Sequence, residues 1–236
     1  MKLQKLLTYI RKAIDDYHMI DVNDKIAVGI SGGKDSLTLL YGLRRLKDFY
    51  PIPFELSAIT VDLGFEQYDT ALLSQYAKQL NIPYYVEKTE IASIVFDHKK
   101  EANPCSLCSR LRKGAFNERA KAIGCNKIAY AHHKDDVLES FLMSLLYEGR
   151  IHTFSPITRL ERSELELIRP LIYVREGEVA SFAREQELPI SKNPCPADGI
   201  TKRQEAKELI CSLKTTVPDV KERIFSAIKG SGIDGW

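Results

Sequence analysis

Lys25-Ile26-Ala27-Val28-Gly29-Ile30-Ser31-Gly32-Gly33-Lys34-Asp35-Ser36 is the stretch that decides the fold. A short apolar run enters a turn with two adjacent glycines, after which Leu39, Leu40, Leu43 and Leu46 recur at the period of a helix. Strand, glycine turn and helix make the first half of a βαβ unit. The turn carries its own chemistry. Adjacent glycines permit positive φ and a close backbone approach to a ligand. The helix that follows offers free N–H groups and the positive end of its dipole. Such a turn is an anion nest suited to phosphates; the plain alternative is a tight turn with a capping serine. It is neither common nucleotide loop. A Walker A sequence needs Gly and Ser or Thr where this chain has Val28 and Asp35, and G-x-G-x-x-G fails at Ser31.

Outward from this turn the rhythm repeats. Phe54–Val61, Tyr84–Val86 and Lys127–Ala131 read as strands, with helices near Thr70 to Leu80 and from about Asp135 to Tyr147. The expected fold is α/β: a parallel twisted sheet with helices on both faces and every strand's carboxyl end on one ligand-binding edge. An amphipathic helix precedes it, with Leu3, Leu6, Leu7, Ile10 and Ile14 at helical spacing. Two segments break the rhythm: Phe96–Arg112, which carries a C-x-x-C, and the stretch beyond Arg150, with Pro156, Pro170, Pro189, Pro194 and Pro196. A helical tail follows, about Lys202–Leu213 and Val220–Ile228. The expected division is an N-terminal helix over 1–20, a catalytic domain over 21–200 and a C-terminal helical extension over 201–236.

The 236 residues suffice for one large domain, and 44% hydrophobic with 28% charged residues argue against disorder. No apolar run approaches the ~20 residues of a membrane span, so the expected location is the cytoplasm and no membrane is involved. Five cysteines in such a chain are not a disulfide framework. The net charge of +2 does not announce nucleic acid. Arg110, Arg112, Lys113, Arg119 and Lys121 offer one basic stripe, for which a solvated helix face is the plainer explanation.

The cysteines are unevenly spread. Cys105 and Cys108 form the C-x-x-C, Cys195 stands between Pro194 and Pro196, and Cys125 and Cys211 sit alone in helical or helix-edge sequence, where buried structural thiols are expected. A C-x-x-C can be half a zinc site, a redox pair or part of an iron–sulfur site. Zinc in a structural site asks for four ligands. Three thiolates would leave one iron of a four-iron cluster open. Counting leaves cluster and zinc even.

The wording of the chain adds more. Ser31-Gly32-Gly33-Lys34-Asp35-Ser36 matches S-G-G-x-D-S, and the chain resembles the PP-loop ATP-pyrophosphatase superfamily, with its adenine nucleotide α-hydrolase-like fold. That resemblance implies cleavage of ATP between the α and β phosphates. It implies that Ser31, Gly32, Gly33 and Ser36 bind pyrophosphate, that Lys34 stabilises charge on ATP and that Asp35 helps hold Mg2+. It seats adenine against main-chain groups at Val61 and Asp62. Ala131-His132-His133-Lys134-Asp135-Asp136 resembles the second ATP-facing motif, with Ala131 and Asp135 toward ATP; Asp135 or Asp136 could bind metal or cap a helix, and the two histidines stay open.

Pro104-Cys105-Ser106-Leu107-Cys108 through Gly114, His132 through Glu139, Ile168 through Arg175 and Pro194-Cys195 resemble, in order, motifs of the tRNA 2-thiocytidine synthetases. Membership implies that Cys105, Cys108 and Cys195 ligate a 4Fe–4S cluster. It implies adenylation and thiolation of cytidine 32 in the anticodon loop of tRNA, with sulfur from sulfide or a cysteine desulfurase. Arg112, one turn past Cys108, would orient substrate or stabilise developing charge. Relatives often carry C-x-x-C at the third ligand, whereas Pro196, Ala197 and Asp198 follow Cys195 here. Phe116, Tyr147, His152, Phe154 and Tyr173 are possible base-stacking residues, and Arg150, Arg159 and Arg162 possible phosphate contacts. Rival readings are a PP-loop enzyme acting on another tRNA base or a small molecule, and a zinc-bearing, non-catalytic ATP- and RNA-binding module.

Overall fold

A computed structural model describes residues 1–65, 70–98, 104–191, 195 and 202–236. Its centre is a six-stranded sheet built of β1 (Asp24–Gly29), β2 (Phe54–Asp62), β3 (Tyr84–Lys88), β4 (Lys127–Ala129), β5 (Ile157–Leu160) and β6 (Leu165–Ile168), in the order β3-β2-β1-β4-β6-β5. All neighbours are parallel except β5, which pairs antiparallel with β6. The strand order reverses beside β1, so β2, β1, β4 and β6 end side by side on one edge.

The expected fold class stands, with two additions. The β5–β6 hairpin turns through Glu164 at φ 56°, without the Asn-Gly or Gly signal that marks most tight hairpins. Helix α7 (Glu176–Glu185) buries Val179, Phe182 and Ala183. The other helices are α1 (Leu3–Tyr17), α2 (Lys34–Lys47), α3 (Thr70–Gln79), the short α4 (Ile91–Ser93), α5 (Pro104–Ala122), α6 (Lys134–Met143), α8 (Lys202–Thr216) and α9 (Val220–Ser231). α4 and α6 each run on into a π-helical turn.

Leu6, Ile10 and Ile14 of α1 are buried on the main core. Gly42 of α2 is what lets the two helices close, because a Cβ there would lie 2.4 Å from Ile10 Cδ1. At the amino edge of the sheet the buried Lys127 Nζ meets Asp21 and Asp24 at 2.9 Å and Glu166 at 3.0 Å. A lysine so enclosed is paired and is structural.

Two expectations change. The C-x-x-C, read as lying between the third strand and the next helix, stands on helix α5 itself. Cys125 is buried as expected, but Cys211 is exposed on α8. The expected boundary at 200/201 lies outside the described residues, as do Pro194, Pro196, Ala197 and Asp198. Among the described residues no helix is long and apolar enough to cross a membrane.

Candidate active site

The phosphate turn joins β1 to α2. Ile30 closes the strand by donating its N–H to Ile59 O at 2.9 Å, and Thr60 Oγ1 donates to Ile30 O at 2.9 Å. Ser36 is buried; its hydroxyl donates to Gly33 O at 3.0 Å and accepts from Ser31 N at 3.2 Å. Ser31 and Ser36 hydroxyls stand 3.3 Å apart. Gly32 adopts φ +82°, and a Cβ on it would collide with Ser191 Oγ at 1.9 Å. Ser191 N also donates to Gly32 O at 3.0 Å, so Ser191 is pinned to this turn. The Ser191 hydroxyl is itself buried with no partner among the described residues.

Lys34 Nζ lies 3.2 Å from Asp35 Oδ2 and 3.5 Å from Glu176 Oε1. Asp35 Oδ1 is buried without a hydrogen bond among the described residues, 4.0 Å from His133 Nε2. An unsatisfied carboxylate oxygen beside a phosphate nest fits a hard cation such as Mg2+. His133 caps α6: its Nδ1 accepts from Asp136 N at 3.2 Å while Asp136 Oδ2 accepts from His133 N at 2.9 Å. That capping box settles what the sequence left open for His133 and Asp136. Asp136 Oδ1 also accepts from Arg203 at 2.8 Å.

Asp135 is buried with both oxygens engaged, one by Lys221 and the other by Glu176 N at 2.7 Å. Burial raises its carboxyl, but Lys221 and the Glu176 N–H outweigh this and hold it below the usual range. Direct metal contact by Asp135 would require Lys221 to withdraw. Ala131 is half-buried beside it. At the end of β2, Asp62 O accepts from Thr89 N at 2.9 Å, and Asp62 Oδ1 from Gly64 N at 3.0 Å.

Val61 packs against a small cluster of Ile91, Val95 and Leu107, and Cys108 packs against the same cluster. The cysteine helix therefore sits beside the end of β2. Cys105 is exposed, and Cys108 and Cys195 are half-buried. Burial pushes the Cys108 thiol up, Arg112 opposes this, and the neighbouring thiols of Cys195 and Cys105 push it further. Cys105 and Cys195 are thus both electrostatic neighbours of Cys108. Yet among the described residues no three His, Cys, Asp or Glu side chains gather closely enough to hold a single ion. A four-iron cluster takes one thiolate per iron, so its ligands stand wider apart than ligands of one zinc. The donor set fits the cluster better than a zinc site.

The basic stripe divides. Arg119 lies 4.0 Å from Glu87 and over the Tyr85 ring, and Lys121 lies 3.5 Å from Glu164. Arg112 and Lys113 are exposed at their surfaces, and partial desolvation of the Lys113 amine, with the charges of Arg169 and Arg112, lowers its pKa. Phe116 is buried, Tyr173 packs on Tyr17 and Phe225, and His152 lies 3.0 Å from Asp234, so these three serve the fold.

One residue of the site was quoted in a motif without a role. Arg169, at the carboxyl end of β6, is 6% exposed. Its guanidinium lies over Phe154 at 4.9 Å, one nitrogen donating to Ser155 O and to Thr158 Oγ1 at 2.9 Å. Its Nε is buried without a partner among the described residues. Desolvation lowers its pKa to about 10. His132 stacks on Phe154 at 4.8 Å between ring centroids, with Tyr130 at 5.9 Å. Burial holds the His132 imidazole down at about 3. A buried arginine without a carboxylate is the signal that only three dimensions supply.

Comparison with known proteins agrees with this geometry. Residues 3–207 match the family described as a PP-loop domain. The tRNA-cytidine(32) 2-sulfurtransferase of Geobacter sulfurreducens is 32% identical over 231 residues, 97% of this chain and 90% of its own. That of Pelobacter propionicus is 35% identical over 228 residues, 95% of this chain and 85% of its own. The U34-tRNA thiolase NcsA from Methanococcus maripaludis, solved with its 4Fe–4S cluster, superposes with a TM-score of 0.77 at 26% identity, covering 96% of this chain and 77% of that one. The NH3-dependent NAD synthetase of Campylobacter jejuni shares the fold, with a TM-score of 0.53 at 15% identity over 100% of this chain and 97% of its own.

Proposed function

Since this chain belongs to the PP-loop domain family and, within it, to the tRNA-cytidine(32) 2-sulfurtransferases, we propose that it uses ATP to exchange the C2 oxygen of cytidine 32 in tRNA for sulfur. The observation that carries the reading is that Cys108, with Cys105 and Cys195 as its electrostatic neighbours, packs beside the end of β2, the strand whose Ile59 and Thr60 bond the start of the phosphate turn.

Cytosine C2 is a poor electrophile with no leaving group. Attack of its oxygen on the α-phosphorus of ATP forms an O–P bond and breaks the α–β bridge, releasing pyrophosphate. Ser31, Gly32, Gly33 and Ser36 hold the departing phosphates through main-chain N–H groups and hydroxyls, and Lys34 offsets their charge. Asp35 offers its free oxygen to Mg2+. Val61 and Asp62 present main-chain groups to adenine, with Ala131 on the other side of the turn. Asp135 serves from behind, holding α7 and α9 in place. Hydrosulfide, from sulfide or a cysteine desulfurase, then adds at C2; the former carbonyl oxygen leaves with AMP, and one proton is released. A 4Fe–4S cluster on Cys105, Cys108 and Cys195, when bound, supplies an open iron able to carry that sulfur. Arg112, exposed one turn past Cys108, faces the charge that develops on AMP. The enzyme is read as cytoplasmic, where its tRNA substrate is made.

Anaerobic incubation with ATP, sulfide and tRNA tests the reading. Nucleoside mass spectrometry is expected to find 2-thiocytidine, with AMP and pyrophosphate formed in step. ADP in place of AMP, or unmodified cytidine beside a thiolated base elsewhere, would overturn it.

A further inference from the structure

The ligand edge of the sheet has two compartments. The phosphate turn and the end of β2 make the first; Tyr130 and His132 after β4, and Arg169 after β6, make the second. They meet where His133 Nε2 lies 4.0 Å from Asp35 Oδ1. The second compartment lies at the rim of the core, with Phe154 packed on the main cluster and Tyr130 on the smaller one. Tyr130, His132 and Phe154 are only partly buried; Tyr130 touches His132, His132 touches Phe154, and the Arg169 guanidinium lies over Phe154. Two of its polar atoms, Arg169 Nε and His132 Nδ1, are buried without partners among the described residues. A buried donor left unused costs the fold free energy, which an acceptor on a ligand would remove.

Flat rings with a planar cation suit an unstacked nucleobase. Arginine carries donors only. The base edge it fits is one with two adjacent acceptors, as O2 and N3 of cytosine provide; uracil puts an N–H at the second place. We propose that Arg169, framed by Phe154, His132 and Tyr130, is the pocket for the acceptor base and selects cytosine over uracil by donating to its O2–N3 edge. The proposal rests on the tRNA-cytidine reading above. The exposed Arg112 and Lys113, on the same helix as Cys108, then offer charges to the flanking phosphates of a splayed nucleotide.

The test is binding, not turnover. Full-length, cluster-loaded protein with a non-hydrolysable ATP analogue is titrated anaerobically with anticodon stem-loop RNA bearing cytidine or uridine at the target position. The wild type is expected to prefer cytidine by about tenfold. Arg169→Lys keeps the charge but loses the planar fork, and is expected to bring the two RNAs within twofold, with affinity for the ATP analogue and cluster absorbance as in the parent. A retained preference in Arg169→Lys, or none in the wild type, overturns the proposal. Should Arg169→Lys fail to fold, Phe154→Leu decides: loss of stacking is expected to weaken both RNAs by about tenfold alike, and parental binding of both refutes the pocket. The parent reading fails separately, if wild-type protein forms no 2-thiocytidine.

Discussion

Asp35 separates chemistry from stability at the scale of one residue. Among the described residues its Oδ1 has no hydrogen bond, and its Oδ2 meets the half-exposed Lys34. Asp35→Asn is therefore expected to leave the denaturation midpoint unchanged while slowing AMP release by about a hundredfold or more, measured by urea unfolding and product chromatography. Equal losses in both would assign Asp35 to the fold. His132 and Glu139 write opposite slopes into the pH dependence. Burial, with Asp136 nearby, pushes the Glu139 carboxyl from 4.5 up to about 7, so between those values the folded chain holds a proton that the unfolded chain has lost. Stability then falls as pH rises through that window. His132 is held from 6.5 down to about 3, so over that range the unfolded chain binds the extra proton and stability rises with pH. The two oppose each other from about pH 4.5 to 6.5. Glu139→Gln leaves His132 alone, and its stability is expected to climb by roughly 1–2 kcal/mol from pH 4.5 to 6.5. A profile parallel to wild type would show that Glu139 titrates as an ordinary carboxyl.

Among elements, the phosphate turn shows how a local sequence and a distant segment agree. Gly32 needs its positive φ, and Ser191 occupies the space a side chain would fill. Gly32→Ala is expected to cost about 2–4 kcal/mol, adding backbone strain to a steric clash. Adding Ser191→Gly should restore the steric part only, which a double-mutant cycle measures. No recovery would mean that backbone strain accounts for the whole loss. The glycine pair after β1 was readable from sequence, as were β1 to β4, because apolar runs bounded by turns carry their own period. The β5–β6 hairpin was not, since Glu164 turns it with a residue that signals no turn. The early part of helix α5 was missed, because proline and closely spaced cysteines look like a break in the α/β rhythm. The cysteine ligands were nameable only through motif likeness. Arg169 escaped because nothing local tells a buried arginine from an exposed one.

For the molecule as a whole, the C-terminal helices complete the charge balance of the central motif. Lys221 of α9 binds Asp135, Arg203 of α8 binds Asp136, and Lys207 lies 2.7 Å from Glu176. Lys221→Ala strands a buried carboxylate and is expected to cost about 3 kcal/mol, read from the urea midpoint; a change below about 0.5 kcal/mol would show that Asp135 finds another partner. The contact between Ser191 and Gly32 has a further consequence, one of reach. Only four peptide steps separate Ser191 from Cys195, and even a fully extended chain covers no more than about 14 Å in four steps. Whatever path the leash takes, the Cys195 backbone stays within about 14 Å of Ser191, which is bonded to the glycine turn. A blow to either end must be felt at the other.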